Sequence, residues 1–228
     1  MSKKLTSNTL FLDIETMPTT DENVIERICK SIAPPANYKK QDTIDRWMAE
    51  NYEDEAKSRV GRTALSGGVG GIITTTYAFG EDDVVCLTNK EMSMDGEKDL
   101  MERFIKVVND RKLPYIKLVG HNIINFDILF LKQRAMILGV KGLRDAIPLH
   151  ARYSGDQVYD TMTEWAGFRN TIKLVELCEF FGIPCKTALS SGDQVYGVAM
   201  SGDWDTVTAY AVEDIVSLRE VYRRMSSI

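Results

Sequence analysis

One segment, Thr9-Leu10-Phe11-Leu12-Asp13-Ile14-Glu15, limits what this chain can become more than any other. Its apolar and aromatic composition, ended by Pro18, reads as a β-strand. Side chains alternate along a strand, so Phe11, Asp13 and Glu15 share one face while Leu10, Leu12 and Ile14 share the other. Two acids at i and i+2 raise each other's pKa when buried together unless a cation neutralises them. Hard oxygen donors suit Mg²⁺ or Mn²⁺. Taken alone, a strand running out into solvent explains the same pattern.

The rest of the chain supplies a sheet and helices around that strand. Ile72 to Phe79 is a β-branched run, followed by a turn at Gly80 to Asp83 and a paired strand at Val84 to Leu87. Glu97 to Val108 has helical periodicity, Tyr115 to Val119 reads as a strand and Asn125 to Leu138 as a helix. Val158-Tyr159 forms a short strand before Asp160, Thr171 to Phe181 an amphipathic helix stopped by Gly182 and Pro184, and about Asp203 to Met225 the last helix. This order predicts an α/β fold with one mixed sheet covered by helices. With no repeat or linker in sight, the expectation is a single domain over 1–228, with an insertion at about 19–60.

Two further segments carry acids in constrained settings. In Val119-Gly120-His121-Asn122-Ile123-Ile124-Asn125-Phe126-Asp127, a strand ends and Asp127 falls in the first turn of the next helix. The helix dipole favours an acid there in any protein. The apolar run Ile128 to Leu131 places this one near the sheet. On the last helix, Trp204, Val207, Ala211, Ile215, Leu218 and Tyr222 form a core stripe. Tyr210 and Asp214 lie one turn apart on its flank, whereas Glu213 points away into solvent.

Charge and cysteines narrow the class. The net charge of −5 argues against a protein that holds nucleic acid by bulk positive charge. Two divalent ions would bring it close to neutral, so a metal enzyme escapes the objection. Four cysteines without a C-x-x-C pair, and only two histidines, favour packing thiols over a zinc site. No apolar run is long enough to span a membrane, and the first residues lack the apolar stretch of a secretion signal. The expectation is an intracellular, cytoplasmic protein with no membrane partner.

The glycine cluster Gly67 to Gly71 lacks a phosphate-loop lysine and precedes a strand, so it reads as a flexible entry into that strand. The insertion mixes basic and aromatic residues (Lys39, Lys40, Arg46, Trp47, Tyr52, Arg59, Arg62) with Glu50, Glu53, Asp54 and Glu55. A solvated helix pair or a guide for a substrate strand fits that mixture.

Taken in order, these segments resemble the DEDD (DnaQ-like) 3′→5′ exonuclease superfamily. Within it they are similar to predicted exonucleases related to the proofreading domain of family B DNA polymerases. Phe11 to Thr16 resembles the first motif, with D-x-E; Asn122 to Asp127 matches N-x-x-x-F-D; Tyr210 to Asp214 matches Y-x-x-x-D of the tyrosine subclass. Position 209 is Ala, which excludes the histidine subclass. Tyr159-Asp160-Thr161-Met162 and the stretch Gly182 to Lys186, followed by Gly192-Asp193-Gln194-Val195, are similar to lesser features of the same group. Residues 19–60 match nothing in it.

The resemblance implies a ribonuclease H-like mixed five-stranded sheet flanked by helices, and two divalent cations, Mg²⁺ or Mn²⁺. Asp13, Glu15 and Asp214 would hold the first, and Asp13 would bridge to a second that Asp127 reaches directly or through water. Tyr210 would orient the attacking water. Substrates would be single-stranded or frayed 3′ ends, DNA favoured over RNA, released as nucleoside 5′-monophosphates. Thr16, Met17, Asn122, Phe126 and Lys186 are the expected substrate contacts, and Asp160 a strand-end hydrogen-bonding group. The alternative is a non-catalytic nucleic-acid-binding or polymerase-associated module of the same fold.

Overall fold

The computed structural model describes residues 5–149, 155–167, 169–184, 189 and 192–227. Five strands form one sheet: β1 (Thr9–Met17), β2 (Gly71–Phe79), β3 (Val85–Thr88), β4 (Lys117–Gly120) and β5 (Val158–Asp160), in the order β3-β2-β1-β4-β5. β1, β2 and β3 pair antiparallel, and β4 and β5 add in parallel on the other side of β1. This is the ribonuclease H-like α/β arrangement, with β1 at its centre.

The alternation along β1 divides the core. Leu10, Leu12 and Ile14 enter a cluster with Leu100, Phe104, Phe130 and Leu131. These come from α3 (Met94–Asp110) and α4 (Asp127–Leu138) on one face of the sheet. Phe11 enters another cluster with Ile215, Leu218 and Tyr222 of α9 (Trp204–Met225) on the opposite face. Covered on both sides, every residue of β2 is buried, which is why Ile72 to Phe79 reads as a continuous β-branched and apolar run.

Between β1 and β2 the chain makes α1 (Glu22–Lys30) and α2 (Gln41–Gly61), which carry no buried residue. The solvated helix pair is what the sequence suggested. Among the described residues there are four shorter helices: α5 (Leu143–Ala146), α6 (Thr161–Ala166), α7 (Leu174–Phe181) and α8 (Val195–Met200).

Some expectations need correction. α7 begins at Leu174, not Thr171, because Lys173 is extended (φ −82°, ψ 148°) and its N–H is taken by the Glu176 carboxylate at 2.7 Å. The α9 stripe is wider than expected, since Tyr210, Asp214, Ser217 and Val221 are also buried, while Glu213 is half-buried rather than free in solvent. The glycine stretch serves close packing, not flexibility. A Cβ on Gly67 would lie 2.9 Å from the Phe130 carbonyl oxygen, and one on Gly70 2.6 Å from that of Thr63.

A buried ion pair fastens this corner. Arg134 of α4 grips both oxygens of Glu97 of α3 at 2.8 Å, and the same carboxylate accepts from Ile72 N at 3.1 Å. Arg134 also donates to Gly67 O at 3.3 Å, so two helices, the glycine loop and the start of β2 share one network. Among the described residues no helix is long and apolar enough to cross a membrane.

Candidate active site

Two acids of β1 and one of α9 meet on the α9 face of the sheet. Carboxylate oxygens of Asp13, Glu15 and Asp214 all lie within 4.8 Å of one another. Their convergence follows from local structure. The i, i+2 spacing puts Asp13 and Glu15 on the face where Phe11 meets α9. The apolar stripe that seats α9 there turns Asp214 toward the strand. Register slips between Glu15, opposite Thr74, and Thr16, opposite Ile72. The extra residue is Ile73 of β2, while β1 keeps its alternation and Met17 follows Glu15 onto the face that meets Tyr210.

Glu15 is 9% exposed and Asp214 7%. Three carboxylates that close, two of them buried, are destabilising without positive charge. Donor atoms that are all hard oxygens fit Mg²⁺ or Mn²⁺.

Asp127 sits at the first turn of α4, 2% exposed, and its Oδ1 accepts from the backbone N–H of Ile14 at 3.0 Å. It is tied to the strand between the two β1 acids but stands outside the three-carboxylate cluster. Burial pushes its carboxyl up to about 7, with the charges of Asp160 and Asp214 adding to the rise and backbone hydrogen bonds opposing it.

Tyr210, 4% exposed, packs with Met17, Ile73, Val195, Ala199 and Val207 and turns its hydroxyl to the acids. Burial raises its phenol well above the usual range, and the charges of Asp214, Glu15 and Asp13 and a hydrogen bond to Asp214 push the same way. This hydroxyl stays protonated at neutral pH. A Cβ on Gly192 would stand 3.5 Å from Glu15 Oε2 and 3.6 Å from the Tyr210 oxygen, so the segment leading into α8 passes close over the cluster.

The remaining expected residues fall in different places. Thr16 donates through Oγ1 to Ala64 O at 2.8 Å and lines a cleft beside Glu15. Met17 is 5% exposed and belongs to the core around Tyr210. Phe126 is half-buried and lines the same cleft as Thr16. Asn122 takes a left-handed conformation (φ 61°), with its N–H donated to Asp160 Oδ1 at 2.9 Å. Lys186 lies outside the described residues.

Asp160 is a strand-end anchor. Its carboxylate accepts from the N–H groups of Asn122, Ile124, Met162 and Thr163, at 2.9 to 3.4 Å, capping α6 and holding the turn that leads to Asp127. His121 braces the same turn, its ring nitrogens within hydrogen-bonding distance of Thr161 Oγ1 (3.0 Å) and Ile172 O (2.8 Å).

The cleft beside Glu15 measures about 710 Å³ and includes residues the sequence did not single out as contacts: Leu65, Gly192 and Tyr196. The segment Gly192 to Val195 had stood out as a motif-like stretch, whereas nothing local in the sequence ties Leu65 to the acids.

Fold and site together define a ribonuclease H-like protein with an acidic centre on its central strand. The chain belongs to the family of predicted 3′–5′ exonucleases related to the exonuclease domain of PolB, whose family model matches residues 72–228. In three dimensions it is similar to the family B DNA polymerase of the hyperthermophilic archaeon Pyrobaculum calidifontis, with a TM-score of 0.62 at 15% identity. That likeness covers 96% of this chain and 24% of the polymerase, and at this identity it speaks for the fold alone. No curated protein matches the chain in sequence.

Proposed function

We propose that this chain is an active, metal-dependent 3′→5′ exonuclease of the tyrosine subclass, working as a single domain on single-stranded or frayed 3′ ends, with DNA favoured. The convergence of Asp13, Glu15 and Asp214 within 4.8 Å carries the reading. Such a set would hold one divalent cation, with Asp13 shared toward a second on the side of Asp127. When bound, the pair supplies a lower pKa for the attacking water and counter-charge for the leaving 3′ oxygen.

The protein's own part is positioning. Tyr210, protonated and hydrogen-bonded to Asp214, orients the water as a hydrogen-bonding partner rather than taking its proton. The Asp127–Ile14 bond keeps α4 in register with β1, so acids from distant parts of the chain hold their separation. Thr16 and Phe126, lining the cleft beside Glu15, receive the terminal nucleotide. The products are nucleoside 5′-monophosphates.

The test is digestion of 3′-labelled and 5′-labelled oligonucleotides with Mg²⁺ or Mn²⁺. A labelled mononucleotide should appear at once from the 3′ label, while the 5′ label passes down a ladder of shortening products. Absence of both products with either metal, or a ladder of the opposite polarity, contradicts the reading.

A further inference from the structure

The helix pair between β1 and β2 buries no side chain of its own, yet its end returns to the cleft beside Glu15. Thr63 makes the return. Its hydroxyl donates to Val60 O at 2.6 Å and accepts from Thr19 N at 2.8 Å, tying the segment that leaves β1 to the one that re-enters. The next residue, Ala64, accepts from Thr16 on β1. Gly67 and Gly70 let the turn lie against α4 and β1 with no room for a side chain. The turn is therefore held at both ends.

Two of its residues line the cleft in ways that core packing does not explain. Leu65 is 68% exposed. Arg62 is exposed, donates to Ser58 Oγ at 3.0 Å, and pairs with no carboxylate among the described residues. Phe126 and Tyr196, both half-buried, line the same cleft, which is continuous with the acids through Glu15. A cation, an exposed leucine and two aromatic rings suit a flexible single strand, whose unstacked bases need faces to lie on and whose phosphates need a donor.

The geometry points to the turn at Arg62 to Leu65 as a guide for the unpaired nucleotides next to the cleaved bond, Arg62 taking a phosphate and Leu65 a base. This rests on the exonuclease reading above. Both residues lie where the helix pair rejoins the sheet, between α2 and β2. A paired end keeps its bases stacked and offers Leu65 no face, so single strands bind in preference to duplex.

Binding is measured without turnover, by fluorescence anisotropy of a labelled oligothymidylate with Ca²⁺ in place of Mg²⁺. Arg62→Ala and Leu65→Ala should each weaken binding by about tenfold. Arg62→Ala should also flatten the dependence of log Kd on log salt by about 0.7, one phosphate contact on a single strand. Arg103→Ala, which removes a charge from the exposed face of α3, should leave affinity unchanged. Affinities of the Arg62 and Leu65 variants equal to wild type, or equal wild-type affinity for blunt duplex, overturn the inference. Hydrolysis of thymidine 5′-monophosphate p-nitrophenyl ester by wild type, read separately, tells whether the exonuclease reading itself stands.

Discussion

The carboxylate of Asp127 accepts a hydrogen bond from the backbone N–H of Ile14 at 3.0 Å, across 113 positions of sequence. The first turn of α4 is thus pinned to β1 between Asp13 and Glu15. Burial pushes the same carboxyl up to about 7.

That shift fixes a sign for the metal-free protein. The folded pKa lies above the unfolded value near 3.8. Between about pH 4 and 7 the folded chain keeps a proton that the unfolded chain has lost, so stability falls as pH rises through this window. Thermal unfolding in EDTA should show Tm declining from pH 5 to 8, with the decline much reduced in Asp127→Asn. A Tm that rises over that window in wild type contradicts the assignment.

Removing one acid of the cluster should separate stability from activity. Asp13→Ala relieves repulsion among carboxylates within 4.8 Å of each other. The metal-free variant should melt a few degrees higher than wild type while losing both cleavage and the rise in Tm that Mn²⁺ gives the wild type. Differential scanning calorimetry with and without Mn²⁺ reads the two Tm effects, and release of mononucleotide from a 3′-labelled oligonucleotide reads the loss of cleavage.

Tyr210→Phe should keep the Mn²⁺-induced rise in Tm and lower kcat by about 10²-fold, the scale of a misplaced reactant. Since the phenol is held protonated by burial and by Asp214, Glu15 and Asp13, the wild-type pH–rate profile should show no alkaline limb below pH 9 that the variant lacks.

Much of this site was legible in the residues themselves. Asp13 and Glu15 share a face because strands alternate, and Asp214 follows from the stripe that seats α9. What escaped was long-range or small. No local pattern joins Asp127 to Ile14, or Leu65 to Glu15, because those pairs form only when distant segments dock. α6 and α8 are six residues each, too short to display a helical period. Gly67 and Gly70 looked like punctuation because a glycine needed for close approach and one needed for flexibility are identical in sequence.

The Glu97–Arg134 pair gives a prediction about the scaffold. Arg134→Ala strands a carboxylate that is 0% exposed and should cost about 3–5 kcal/mol. Glu97→Leu with Arg134→Leu removes both charges and should recover part of that loss. Urea unfolding of the single and double variants measures it; a single variant as stable as wild type would mean the pair is dispensable.

Crystals soaked in MnCl₂ and measured at the manganese edge test the central claim most directly. Anomalous density is expected between the carboxylates of Asp13, Glu15 and Asp214, absent in crystals of Asp214→Ala. Density elsewhere, or none at saturating metal with the three side chains apart, would contradict it.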